Sequence, residues 1–285
     1  MKFNQWARST SAIAILLSPV LVGFAPNPSQ QHPSVSSNAP MQVSINFPSS
    51  PGDGTRPNRT ASGGARALCY VEGPRQQALP MTVLMPTNNV GTTVEEDPAL
   101  LLYIPKSRID GGEVAIVERD SDREVYLKQF DLSNKPSDAA GIVKVQLEEA
   151  NLEPGKTYDW VFSPFCISDN GRVDYLGDVY VEGSFQRTEL APSQDVQIEE
   201  ATTPLEKAEI YARYGIWNET LELVEQLRPS NPQEWVNLLR SVELDELAEA
   251  PYFGEAQLIA EEDESETEAI LPELLERQET NRQAN

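Results

Sequence analysis

Residues 152–167 read LEPGKTYDWVFSPFCI, and the order of residue types within them decides the class of fold. Pro154 and Gly155 make a turn, because proline presets φ and glycine tolerates the left-handed region. Beyond the turn, Tyr158, Trp160 and Phe162 recur at every second position, which places all three side chains on one face of a strand. A core explains that aromatic row better than a ligand shelf does, since buried aromatics dominate the energetics of small cores.

Outward from this stretch the same texture continues, with short apolar runs separated by turn residues. Strands are predicted over 82–85, 100–104, 113–118, 124–130, 142–147, 156–167 and 173–187. Asp120, Ser121 and Asp122 supply one hairpin turn, and Ser168, Asp169, Asn170 and Gly171 another. Strands at this spacing predict an all-β Greek-key sandwich. Leu152, Pro154, Gly155, Tyr158 and Trp160 resemble the turn and tyrosine corner of fibronectin type III and immunoglobulin-like domains. That resemblance implies a tyrosine hydroxyl bonded back to the chain at the corner.

Past Pro192 the period changes from two to that of a helix. Thr203, Pro204 and Glu206 stand in N-cap, N1 and N3 register, and the helix they start carries Leu205, Ala208, Tyr211 and Ala212 on one face before Gly215. A second helix is predicted from near Asn218 with Leu221, Val224 and Leu227. A third starts at Asn231, Pro232 and Glu234, again a capping box, and presents Trp235, Leu238, Leu239 and Val242. The spacing of Ala208, Tyr211, Gly215, Trp217 and Pro232 is similar to one tetratricopeptide unit. One such unit cannot bury its own face, so these helices must dock on the sheets or on a partner.

The ends read differently. Lys2 and Arg8 precede an apolar run from Ala12 to Val22, the pattern of an export signal rather than of a spanning helix, which needs about 20 apolar residues. The expected organisation is a signal peptide over 1–25, a disordered Pro/Ser/Gly tether over 26–66, a β-sandwich domain over 67–191, a helical segment over 192–253 and an acidic tail over 254–285. Within the tether, Val43, Ile45 and Phe47 alternate like a strand, but the piece is isolated and Pro48 ends it.

A formal charge of −23 argues against nucleic acid as partner, because phosphate binding needs an excess of Lys and Arg. The two cysteines, Cys69 and Cys166, are expected to pair in an oxidising compartment, which stabilises the fold by about 4–5 kcal/mol in the chain-entropy account. His32 is the single histidine and falls in the tether, so triads of the serine or cysteine type and His-ligated zinc lack their bases and ligands. Carboxylates remain. Asp120, Asp122 and Glu124 around one hairpin, or Asp169, Asn170 and Asp174 around another, offer hard oxygens to calcium, without the spacing of an EF-hand. A pair of acids would serve a glycosidase, but no pair is identifiable from sequence.

Gly63 and Gly64 before Cys69, then Leu84-Met85-Pro86, Leu102-Tyr103-Ile104-Pro105, Tyr158, Trp160, Cys166, Val181-Glu182-Gly183 and Tyr211 with Gly215-Ile216-Trp217 form a collinear set. Over residues 63–251 this set resembles an exported cyanobacterial family, domain of unknown function 928. The resemblance implies export and this architecture, and carries no activity, cofactor or catalytic residues with it. The expected role is a non-catalytic interaction protein of the cell envelope or extracellular space, with a protein or envelope glycan as partner. Trp217 and Trp235 are the candidate contact residues, since tryptophan is enriched at binding hot spots, with core packing as the alternative for both. The rival roles are a carboxylate-dependent hydrolase of envelope polysaccharide and a calcium-stabilised structural module.

Overall fold

The computed structural model describes residues 44–48, 79–168, 171–176 and 179–260. Along the chain run strands β1 (Thr82–Val83), β2 (Val90–Thr93), β3 (Ala99–Ile104), β4 (Gly111–Glu118), β5 (Arg123–Asp131), β6 (Gly141–Gln146), β7 (Thr157–Ile167), β8 (Val173–Tyr175) and β9 (Val181–Arg187). Helices α1 (Pro192–Glu200), α2 (Pro204–Arg213), α3 (Trp217–Leu227) and α4 (Pro232–Ser241) follow. A 3-10 turn (Asp245–Leu247) then leads into β10 (Tyr252–Glu255) and β11 (Gln257–Leu258). The protein is mostly β, with the helices on the C-terminal side.

The strands form two mixed sheets. One has four strands in the order β1-β3-β6-β10, and the other seven in the order β11-β5-β4-β7-β9-β2, with β8 paired to the end of β7. All pairings are antiparallel except β2 with β9 and β10 with β6. Between the sheets lies the main core, to which β7 sends Tyr158, Trp160 and Phe162, β4 sends Val114 and Ile116, and β3 sends Leu100, Leu102 and Ile104. The corner after Gly155 closes as the resemblance implied, with the Glu153 N–H donating to the Tyr158 hydroxyl oxygen at 2.9 Å.

The four-stranded sheet is buried on both faces. Leu101 and Tyr103 of β3, with Ile142 of β6, point away from the main core into a second one shared with Trp217, Leu221, Val224, Trp235, Leu238 and Leu239 of α3 and α4. This explains the unbroken apolar run of β3, whose six residues are all buried. At α2 the predicted capping box is present: the Glu206 N–H donates to Thr203 Oγ1 at 3.1 Å, and the Thr203 N–H donates to Glu206 Oε2 at 3.2 Å.

Four expectations are corrected. Segment 44–48 of the predicted tether is seated on the helices: Ile45 and Phe47 are buried, and the Phe47 ring meets Trp217 edge-on at a centroid distance of 4.9 Å. Glu234 makes no capping box with Asn231, because its carboxylate instead accepts the Ile45 N–H at 2.8 Å. The single long strand predicted over 173–187 is two, β8 and β9. The acidic tail predicted from residue 254 begins later, since β10 and β11 carry the chain back onto β6 and β5. Residues 1–25, where the signal was read, lie outside the described residues, and among these no helix is long and apolar enough to cross a membrane.

Candidate functional site

The break between β8 and β9 interrupts the pairing along β7 in the seven-stranded sheet. β7 pairs with β9 as far as Phe162 opposite Val181, and with β8 from Phe165 opposite Tyr175. Two residues of β7, Ser163 and Pro164, therefore separate the two pairings, against five residues of sequence between β8 and β9. Pro164 has no N–H to offer the ladder at that point. The Leu176 N–H donates to the Pro164 carbonyl at 3.1 Å, tying Leu176 to β7, and the Val179 N–H donates to the Leu176 carbonyl at 2.7 Å. Extra residues of this kind lift one strand away from its neighbour and open space beside it. Here that space is a cleft of about 230 Å³ lined by Glu113, Ser163, Pro164, Tyr175, Leu176, Val179 and Tyr180.

Strand register brings the polar groups together. Glu113 of β4 is paired with Gln129 of β5 on one side and with Ser163 of β7 on the other. The Tyr175 hydroxyl donates to Glu113 Oε2 at 2.6 Å, and Gln129 Nε2 donates both to that oxygen at 3.1 Å and to the Tyr175 hydroxyl at 2.8 Å. Burial, then the hydrogen bond to the Glu113 carboxylate, pushes the Tyr175 phenol up to about 12. Tyr175 also covers Phe165, edge to face at 5.7 Å. Phe165 fits only because its partner in β4 is Gly111, where a Cβ would lie 2.3 Å from the ring.

Further along the same face, the Arg119 guanidinium pairs with Asp159, which also accepts the Ser184 hydroxyl at 2.8 Å. The hydrogen bond from Arg119 holds the Asp159 carboxyl below the ordinary carboxylate range. At the sheet end near the tyrosine corner, Glu118 takes Lys156 at 2.9 Å and Arg123 at 2.9 Å, and these two cations lower it to about 2. A second cleft, of about 360 Å³, is lined by Phe130, Gln146, Glu148, Glu255, Ala256, Gln257 and Leu258 where β10 passes into β11.

The residues singled out by sequence are placed elsewhere. Trp217 and Trp235 are each 1% exposed, with their indole N–H groups donating to the Leu84 and Ala248 carbonyls, both at 3.1 Å. They are therefore core residues rather than contact residues, because the helices they belong to had a sheet face to cover. Asp120, Asp122 and Glu124 are exposed around the β4–β5 turn, where Asp122 takes a left-handed φ of 52°. Among the described residues no group of three or more His, Cys, Asp or Glu is arranged to hold a metal ion. Of the other acidic turn, Asp174 lies near Arg172 at 3.6 Å, while Asp169 and Asn170 fall outside the described residues. Cys166 is buried at the end of β7; Cys69 and His32 lie outside the described residues, among which no cysteine is a free thiol.

Glu113, Gln129, Ser163, Tyr175 and Tyr180 were not singled out from sequence. The available signal was the Gly177-Asp178 pair, a turn dipeptide inside what reads as one long strand.

No curated protein and no solved structure matches the chain. The family model described as Domain of Unknown Function (DUF928) matches residues 61–252, which takes in both sheets as far as the start of β10, and all four helices. With more than half its length matched, and with the collinear residues read from sequence falling inside the match, the chain belongs to the DUF928 family.

Proposed function

We propose that this chain is an exported, non-catalytic interaction protein of the cell envelope or extracellular space, built on an immunoglobulin-like Greek-key sandwich with a tetratricopeptide-like helical layer. The observation that carries the reading is the outer face of the seven-stranded sheet. Leu127, Ile167, Val173, Tyr175 and Tyr180 are all more than a third exposed there, and by alternation they point away from the core. Exposed apolar and aromatic groups gathered on one face mark interaction surfaces.

The strand orders β1-β3-β6 and β5-β4-β7-β9, with β2 parallel to β9, support the sandwich topology, as does the Glu153–Tyr158 corner bond. Export is supported by the basic and apolar pattern of residues 2–22, and a Cys69–Cys166 disulfide by the presence of only two cysteines. The test is crosslinking in the native envelope, followed by pull-down with the full chain and with a version ending at residue 260. Recovery of the same stable partner by both forms is expected, with the mass of the exported protein showing signal removal and its response to reductant showing the disulfide. Repeated failure of both forms to hold any partner overturns the reading.

A second reading, a carboxylate-dependent hydrolase of envelope polysaccharide, is favoured by one observation: Glu148 and Glu255 line the same cleft. Glycosidases place two acids about 5–9.5 Å apart across the sugar bond. Release of reducing ends from envelope polysaccharide, abolished by Glu148→Gln and by Glu255→Gln, would establish it in place of the first.

A further inference from the structure

The cleft in the bulge between β8 and β9 carries polar groups that the fold does not use. Glu113 spends one carboxylate oxygen on Tyr175 and Gln129, and its Oε1 accepts no hydrogen bond among the described residues. The Ser163 and Tyr180 hydroxyls likewise make none among them, although both side chains line the same cleft. One anionic acceptor and two hydroxyls, each able to donate and accept, are therefore available beside an apolar floor of Pro164, Leu176 and Val179.

A hydroxyl-rich ring with an apolar C–H face has the complementary chemistry: its hydroxyls donate to a carboxylate and exchange hydrogen bonds with the two side-chain hydroxyls, while its C–H face covers apolar and aromatic carbon. The volume of about 230 Å³ is below the roughly 300 Å³ at which drug-sized pockets begin, so the cleft suits one ring rather than a wholly enclosed oligomer. An anionic sugar is disfavoured twice, by the Glu113 carboxylate at the cleft and by the formal charge of −23 on the chain. Tyr175 is fixed over Phe165 and to Glu113, so Tyr180, 41% exposed and making no side-chain hydrogen bond among the described residues, is the aromatic ring available to a ligand.

We propose that this cleft is a binding subsite for one neutral sugar ring of a glycan, held by Glu113 Oε1, Ser163 Oγ and the Tyr180 side chain. The proposal rests on the interaction reading above and narrows its partner to a neutral polysaccharide.

The test is calorimetric titration of the full chain with neutral trisaccharides built from glucose, galactose, mannose, xylose and N-acetylglucosamine, and with trigalacturonate as the anionic probe. Saturable binding of at least one neutral trisaccharide is expected, with no binding of trigalacturonate. Tyr180→Ala and Glu113→Gln are each expected to weaken it about tenfold or more, a change of about 1.4 kcal/mol. Circular dichroism of both variants serves as the check that the fold is intact, and Ser163→Ala is the substitute where either variant unfolds. No saturable binding of any neutral probe, equal binding of trigalacturonate, or unchanged affinity in folded variants overturns the proposal. Repeating the envelope crosslinking with Tyr180→Ala separates the two readings: a partner captured as well as before leaves the interaction role standing and removes the glycan site.

Discussion

The outer face of the four-stranded sheet is dry, whereas that of the seven-stranded sheet meets water. On the first, Leu101, Tyr103 and Ile142 lie under α3 and α4, and the segment around Ile45 and Phe47 closes over the helices in turn. On the second, Leu127 and Tyr175 are each 46% exposed, and the polar groups between them form a hydrogen-bonded network instead of a packed layer. The difference shows that the position of tryptophan in the sequence is a poor guide to which face is exposed. Both candidate tryptophans went to the covered face, where a large side chain gains most from leaving water.

The largest effect should come from breaking the dry side. Trp217→Ala removes a side chain that packs on Phe47 and bonds to the Leu84 carbonyl, and it is expected to cost about 3–5 kcal/mol in chemical denaturation. Phe47→Ala comes next, at about 3 kcal/mol, the low end of the range for buried aromatics, since at 6% exposed Phe47 is less fully buried than Trp217 at 1%. An isolated, unseated tether would instead give a change indistinguishable from zero, so this variant sharpens the comparison most directly.

A pH series distinguishes buried from surface charge. Burial raises the Glu219 carboxyl above its ordinary value of 4.5, although its Oε1 accepts from Thr93 Oγ1 at 2.7 Å and from the Val94 and Glu95 N–H groups. The folded chain thus holds this proton more tightly than the unfolded chain. The stability it contributes is fully present below 4.5 and is lost as pH rises through the higher folded value. Glu219→Gln keeps an acceptor for those donors and removes the titration, so its Tm relative to the parent is expected to rise between pH 4 and pH 8. Glu118 runs the other way: with its pKa lowered to about 2 by Lys156 and Arg123, its contribution is present above about 4.5 and lost as pH falls towards 2. The smallest effect belongs to the wet face, where Leu127→Ser should change stability by no more than about 0.5 kcal/mol. A loss of several kcal/mol there would show that this face is covered after all.

Much of the β architecture was readable because alternation and turn chemistry are local. The predicted strand over 156–167 is β7 to within a residue, and the Thr203–Glu206 cap is where its spacing put it. What escaped reading was set by contacts distant in sequence. Nothing near Ile45 announces that Glu234 will accept its N–H, and the same long-range bond is why the capping box expected at Asn231 is absent. The return of β10 and β11 was hidden at the front of what reads as an acidic tail, because strands this short show their role only through pairing with β6 and β5. The cleft was illegible for a related reason: Glu113, Ser163 and Tyr175 come from three strands, and only register makes them neighbours.

Those last two strands have a consequence for how the molecule comes into being. Because β10 joins the four-stranded sheet and β11 the seven-stranded one, neither sheet has its full width until residues 252–258 have been delivered. A chain emerging from its N-terminus can assemble hairpins such as β4–β5 early, but the edges of β5 and β6 stay open while the helices are still being made. Completion is thereby deferred to a seven-residue latch, and a polypeptide interrupted anywhere in the helices would be left with two adhesive borders.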